Sequence, residues 1–450
     1  MSVIKRPTTE RYPEGYKPEP GIPANLSLLR WKLGHKAKQE KSFRFYALYD
    51  RIYRRDTLET AYKLCRKKNG APGIDGIRFK DIELSAGGVS GFIDELEKSL
   101  KEHTYHPKPV RRIYILKRNG KQRPLGIPCI SDRVVQRALM LIIEPIFEAD
   151  FLDCSHGFRP HRSAHDAINQ IQQNLKSERN AVYDADLSSY FDTIDHIELM
   201  RLVEERIADK AVLKLIRMWL KCPVSEKDKN GTKTITKPKC GTPQGGVVSP
   251  LLANLYLHKF DRKFYMDADS PFKFANARLV RYADDFLVQA RYMGSRIINW
   301  IEGNLETEMQ LKINREKTRV VRLKESGTTL NFLGFTMRYD RDLHGRNHKY
   351  LNTFPSKNAV KVLREKVRDK TKSGYKKPII EVIKEVNCMT SGWKNYFDHG
   401  YPRKVFRELN HFIRCRFQRF LRNRSQRQSR PLRDGESLYS GLQRMGLNYL

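Results

Sequence analysis

The sequence predicts a mixed α/β (α+β) chain of about two to four compact units, and three observations point there. An Asn-Gly pair at 119–120 separates two apolar runs, the signature of a tight β-hairpin. Two acidic segments, AVYDADLSSYFDTIDH (181–196) and RLVRYADDFLVQA (278–290), set carboxylates at the ends of short strand-like runs. Beyond Pro355 the apolar spacing changes to helical stripes.

Taken in order, residues 1–45 read as an N-terminal arm, rich in Pro, Glu, Lys and Tyr without a period as far as Pro23. Leu58, Ala61, Tyr62 and Cys65 then share one face of a helix, and GAPGIDG (70–76) breaks it as a loop. Val110 to Lys117 and the apolar residues after Gln122 form the arms of the first hairpin. Asn230-Gly231 marks a second. Val360, Leu363 and Val367 share a helical face, and Pro378 precedes a second helix through Val382, Ile383 and Val386. A third helix follows Pro402, with Val405, Leu409, Phe412, Ile413, Phe417, Phe420 and Leu421 as its apolar stripe. Nine arginines and one lysine between Arg403 and Arg430 face one acid, Glu408, so one side packs and the other suits phosphate.

Composition narrows the function. Lys and Arg total 86 against 51 Asp and Glu, a formal +35, and such an excess calls for a polyanionic partner, nucleic acid. Seven cysteines with no C-x-x-C pair argue against a disulfide framework or structural zinc. The first residues lack an apolar signal region, and the greasy run Ala138–Ile143 is too short to span a bilayer. A soluble, cytoplasmic protein with no membrane partner is expected.

Phosphoryl transfer from a nucleotide needs carboxylates converging on divalent cations, which activate the attacking oxygen and stabilise the leaving pyrophosphate. Val182, Asp184 and Asp186 alternate onto one strand face, with Asp192 and Asp195 following where strand turns to helix. Apolar residues flank Asp284-Asp285 symmetrically, as at a hairpin tip. Either segment alone also suits a plain turn or a helix cap; together they suit a metal site.

Seven blocks stand in one order: RPLGIPCISDRVVQRAL, HGFRPHRSAHDAI, DADLSSYFDTIDH, GTPQGGVVSPLLANLYLHKFD, RYADDFLV, LKINREKT and NFLGF. In them the chain resembles the bacterial group II intron reverse transcriptase/maturase family. The resemblance implies a right-hand polymerase: fingers over 46–175, a palm with a ferredoxin-like split βαβ sheet over 176–354, a helical thumb or maturase domain over 355–432, and a short tail, 433–450. It implies catalytic, metal-holding aspartates at Asp186, Asp284 and Asp285, with Asp184 and Asp192 outside that set, and two Mg²⁺ ions for which Mn²⁺ can substitute. The endonuclease of many relatives has cysteine pairs and histidines after the thumb; no Cys or His follows Arg430, so none is expected.

The resemblance also assigns binding roles. Lys117 and Arg123 flank the first hairpin and would reach the triphosphate. Gln244 and Gly245, in Pro-Gln-Gly-Gly (243–246), would let a nucleotide approach bare backbone. Phe191, five residues after Asp186, is either a core aromatic or a ring that excludes a 2′-hydroxyl. Lys317 stands where a proton would pass to pyrophosphate, and NFLGF (331–335) where the primer terminus is held. Trp393, Tyr396 and Phe397, with Arg414, Arg416, Arg419, Arg422 and Arg424, resemble the surface that grips duplex and intron RNA. The implied partners are an RNA template, an RNA/DNA primer duplex, deoxynucleotides and group II intron RNA. Two other readings remain: a domesticated reverse transcriptase of phage defence or DNA repair, and an RNA-binding splicing factor with an idle polymerase. The complete aspartate set speaks against the last, because unneutralised carboxylates repel phosphate.

Overall fold

The computed structural model describes residues 13, 15–116, 120, 122–227, 233–341, 349–372, 377–423 and 435–450. In chain order its strands are β1 (Val110–Leu116), β2 (Gln122–Ile127), β3 (Ala181–Ala185), β4 (Val224–Lys227), β5 (Lys233–Thr236), β6 (Arg278–Tyr282), β7 (Asp285–Ala290), β8 (Arg319–Arg322), β9 (Leu330–Phe332), β10 (Phe335–Arg341) and β11 (Lys349–Pro355). The described residues divide into two compact units, the first from 1–167, 184–288 and 294–319, the second from 168–183, 289–293 and 320–450.

In the first unit a helix begins at Ala24, directly after Pro23, and runs to Gln39. It and the Arg55–Lys68 helix pack on the Ile130–Glu148 helix. The expected face Leu58, Ala61, Tyr62 and Cys65 is buried, and GAPGIDG is a loop. The Ile130–Glu148 helix buries Val134, Val135, Ala138, Leu139, Ile142 and Ile143, so the greasiest run of the chain is core. Both hairpins form: β1 pairs antiparallel with β2 as far as Leu116 opposite Gln122, and β4 with β5 as far as Lys227 opposite Lys233. Gly120 has the positive φ, 77°, that the turn requires. Asn119 and the Asn230-Gly231 tip lie outside the described residues. A parallel pairing of Val110 with Val224 joins the hairpins into one sheet, β2-β1-β4-β5.

A second four-stranded sheet has the order β6-β7-β3-β8. Helices including Ser249–Met266 lie between β3 and β6 in sequence, and Ser295–Glu302 lies between β7 and β8. This is the split βαβ order expected of the palm sheet.

In the second unit β9, β10 and β11 form an antiparallel sheet, and three helices, Lys357–Lys370, Ile379–Phe397 and Arg403–Arg422, close on a common core. Leu363, Val367, Val382, Ile383, Val386, Leu409, Ile413, Phe417 and Phe420 fill it. Pro378 caps the second helix as N-cap. The stripe of the third helix needs adjustment: Phe406, Leu409, Ile413, Phe417 and Phe420 are its buried line, while Val405, Phe412 and Leu421 are only partly covered. No helix among the described residues is long and apolar enough to cross a membrane, and all seven cysteines are free.

Candidate active site

β3 ends at Ala185, and Asp186 follows at its tip. The backbone there is clamped: Asp186 N donates to Thr318 Oγ1 (3.2 Å), Asn314 N donates to Asp186 O (2.8 Å), and Ser188 N donates to Lys312 O (2.7 Å). The clamp delivers Lys317, whose Nζ lies 3.0 and 2.9 Å from the two carboxylate oxygens of Asp186. One pleat back, Asp184 Oδ2 accepts from Arg319 Nε at 3.0 Å. Asp195 N-caps the helix that follows, accepting from Glu198 N at 2.7 Å, and is taken up by that structural duty.

The other two aspartates ride on a hairpin. Leu279 and Val280 of β6 and Phe286, Leu287 and Val288 of β7 are completely buried, which anchors both strands. Ala283 and Asp284 form the turn between them, with Ala283 at φ +59°. Burial raises the Asp284 carboxyl above its ordinary range. Asp285 is exposed at its rim yet set among enough atoms that burial, and then the charges of Asp284, Asp186 and Asp184, push it up to about 6. The three aspartates named from the sequence thus act on one another, from segments about a hundred residues apart.

Among the described residues no group of three or more His, Cys, Asp or Glu side chains stands in an arrangement that could hold a metal ion. Like charges repel, and Asp186 is paired with the Lys317 ammonium, a cation standing on one of the carboxylates. The donor set itself fits a hard divalent cation: carboxylate oxygens, crowded until their charge is unfavourable, which a cation relieves.

A loop cluster lies beside these acids in the same unit. Arg123 Nε on β2 donates to Gln244 Oε1 at 2.9 Å, and Gln244 Nε2 reaches Asp192 Oδ2 at 3.4 Å. Gly126 N donates to Gln244 O at 2.6 Å. Gly245 sits at φ +114°, where a Cβ would lie 2.2 Å from Gly126 O, so only glycine fits. Phe191 is 8% exposed, edge-on to Tyr190, and its carbonyl accepts from Thr242 N at 2.7 Å. Arg123, Gln244, Gly245 and Phe191 are therefore joined through one loop; Lys117 lies outside the described residues. Sequence reasoning missed Gln136, a buried glutamine whose Oε1 accepts from Val247 N (2.7 Å) and so fixes the end of this loop. A polar residue on the otherwise buried face of the most apolar helix was its signal.

In the second unit the aromatics serve packing. The Trp393 and Phe397 rings meet at a tilt, 4.6 Å between centroids, Tyr396 Oη donates to Leu333 O (2.9 Å), and Gly334, φ +83°, turns under the Phe397 ring. The NFLGF segment is thus the β9–β10 turn, held by helix aromatics. Among the arginines, Arg416 is tied down, donating to Thr371 Oγ1 (3.1 Å) and O (2.9 Å), and its guanidinium is depressed by burial and by Arg419 and Arg368. Arg414 lies against His411 Nδ1 at 3.1 Å, whereas Arg419 and Arg422 are exposed. Arg424 lies outside the described residues.

Comparison with known proteins adds lineage to this geometry. The reverse transcriptase (RNA-dependent DNA polymerase) family matches residues 115–337, and the group II intron, maturase-specific domain matches 360–435. Protein YkfC of Escherichia coli (strain K12) is 32% identical over 368 residues, 74% of this chain and 93% of that protein. The group II intron-encoded protein LtrA of Lactococcus lactis subsp. cremoris is 33% identical over 359 residues, 66% of this chain and 57% of LtrA, so the match spans little more than half of LtrA. The chain belongs to the group II intron reverse transcriptase/maturase family, an RNA-directed DNA polymerase domain followed by a maturase-specific domain.

Proposed function

We propose that this protein extends a primer annealed to an RNA template with deoxynucleotides, and that it also binds group II intron RNA as a splicing maturase. The observation that supports this best is that β3, which ends just before Asp186, and β7, which begins at Asp285, are neighbouring strands of one sheet. Asp186, Asp284 and Asp285 would hold two Mg²⁺ ions, which Mn²⁺ can replace, and the ions would supply activation of the primer 3′ oxygen and charge neutralisation at the leaving pyrophosphate.

The protein's own residues do the rest. Arg123 and Lys117 hold the triphosphate, with charge-assisted hydrogen bonds. Gln244 bonds the sugar or base over the bare backbone of Gly245. Phe191 fills the space a 2′-hydroxyl would need. Lys317 Nζ passes a proton to the departing pyrophosphate oxygen. Fingers, palm and thumb correspond to 46–175, 176–354 and 355–432, with 433–450 as a tail. Arg414, Arg416, Arg419, Arg422 and Arg424 meet RNA phosphates, in a cytoplasmic setting.

The test is primer extension with purified protein, an RNA template, a DNA primer, deoxynucleotides and Mg²⁺. Wild type extends and Asp284→Asn does not. Equal extension by the variant, or none by wild type, rejects the proposal.

A further inference from the structure

The turn that carries Asp284 is braced from behind by a side chain that touches no reacting group. Arg281, on β6, is 0% exposed. Its Nε donates to Asp261 Oδ1 at 3.0 Å and its Nη2 to Asp261 Oδ2 at 2.5 Å. Its Nη1 donates to Asn254 Oδ1 and to the carbonyl of Ala283, both at 2.9 Å. Asn254 and Asp261 stand seven residues apart, both buried, on the Ser249–Met266 helix. Asn254 Nδ2 in turn donates to Gly157 O at 2.7 Å, and a Cβ on Gly157 would lie 2.3 Å from Ala283 N. Arg281 N donates to Cys154 O (2.7 Å) and His156 N donates to Arg281 O (2.8 Å), so the 154–157 segment lies along β6.

Stability alone does not account for this network. Removing two charges from water offsets most of what a buried ion pair returns, and apolar residues of the same volume often serve as well. Ala283 also holds a left-handed backbone, φ +59°, which a non-glycine residue keeps only when its surroundings over-determine it. The carbonyl that Arg281 grips belongs to the peptide whose nitrogen is that of Asp284. Fixing it fixes the plane from which Asp284, and then Asp285, project. A guanidinium can grip Asp261 twice and still reach two further oxygens; an ammonium cannot present that planar fork.

We propose that Arg281, held by Asp261 and Asn254, is a positioning residue that locks the Ala283–Asp284 peptide so that Asp284 and Asp285 are aimed for cation binding. The proposal rests on the reading of those acids as metal ligands. Two variants of the full chain test it: Arg281→Lys, and Arg281→Met combined with Asp261→Leu, which removes both charges together and leaves neither uncompensated. Mn²⁺ affinity by electron paramagnetic resonance is the primary readout, with thermal melting to certify the fold and primer-extension kcat and KM beside it. Losing support behind a metal ligand weakens affinity by about ten-fold or more. The expected result is that loss in Mn²⁺ affinity, with a lower kcat and a deoxynucleotide KM within about two-fold of wild type. A folded variant with wild-type Mn²⁺ affinity and kcat overturns the proposal. Asp284→Asn separates the two levels: if it too leaves Mn²⁺ affinity unchanged, the assignment of the metal ligands is what has failed; if it alone weakens binding, the brace has failed and the ligands stand.

Discussion

Phe191 is packed against Tyr190 beneath the loop that carries Thr242 and Gln244, so trimming its ring opens space without exposing a polar group. Phe191→Val is expected to raise incorporation of ribonucleotides relative to deoxynucleotides by about ten-fold or more, the scale on which one apolar contact discriminates. Single-nucleotide extension measures this, and an unchanged ratio assigns the ring to packing alone. Asp132 offers a test by pH. Burial pushes its carboxyl up to about 6, although the Tyr105 hydroxyl (2.6 Å) and Lys108 N (3.2 Å) bond it and pull the other way. In the unfolded chain the same group ionises near 3.9. Between those values the unfolded state releases its proton first, so the folded state loses stability as pH rises from about 4 to about 6. Asp132→Asn lacks this loss. Its urea midpoint should therefore shift upward relative to wild type across that window, and a pH-independent difference contradicts the assignment. Legibility at this scale followed local pattern: Asp284 and Asp285 were visible because apolar residues flank them symmetrically. Arg281 was not, being one of 86 basic residues whose burial is decided by a helix some twenty residues earlier.

Among the elements, the loop from Gly241 to Gly246 joins the β1–β2 hairpin to Asp192, six residues after Asp186, through Arg123 and Gln244. Gly245→Ala must relieve a 2.2 Å approach to Gly126 O and an unfavourable φ together. It is expected to cost roughly 1–3 kcal/mol and to raise the deoxynucleotide KM, read by melting and by steady-state extension; a variant with normal KM separates this loop from nucleotide binding. Both hairpins were legible because Asn-Gly carries its own turn geometry. The parallel pairing of Val110 with Val224 was not, since nothing local marks partners so far apart in sequence. On the last long helix the stripe drawn from Val405 does pack against the helical core, but it left out Phe406, which is buried beside Trp393; helical spacing alone does not reveal that second contact.

For the whole molecule, the formal charge of +35 fixes how binding responds to salt. Neutralising some six to ten phosphates costs about 10³-fold or more in affinity between 50 and 200 mM salt. Filter binding of template–primer should show that slope, and a flat response contradicts a binding surface built from basic side chains. The order of motifs was legible along the chain, but the division into units was not: 168–183 and 289–293 join the second unit although their neighbours in sequence belong to the first. Such interleaving arises when distant strands pair, which periodicity cannot reveal. The central claim is that Asp186, Asp284 and Asp285 gather divalent cations at one place, and iron-directed cleavage tests it most directly. Fe²⁺ replacing Mg²⁺, with peroxide and ascorbate, cuts the polypeptide beside the bound ion. The account predicts cuts near 186 and near 284–285, suppressed by excess Mg²⁺ and absent in Asp284→Asn; cuts at only one of these segments, or cuts that Mg²⁺ does not suppress, contradict it.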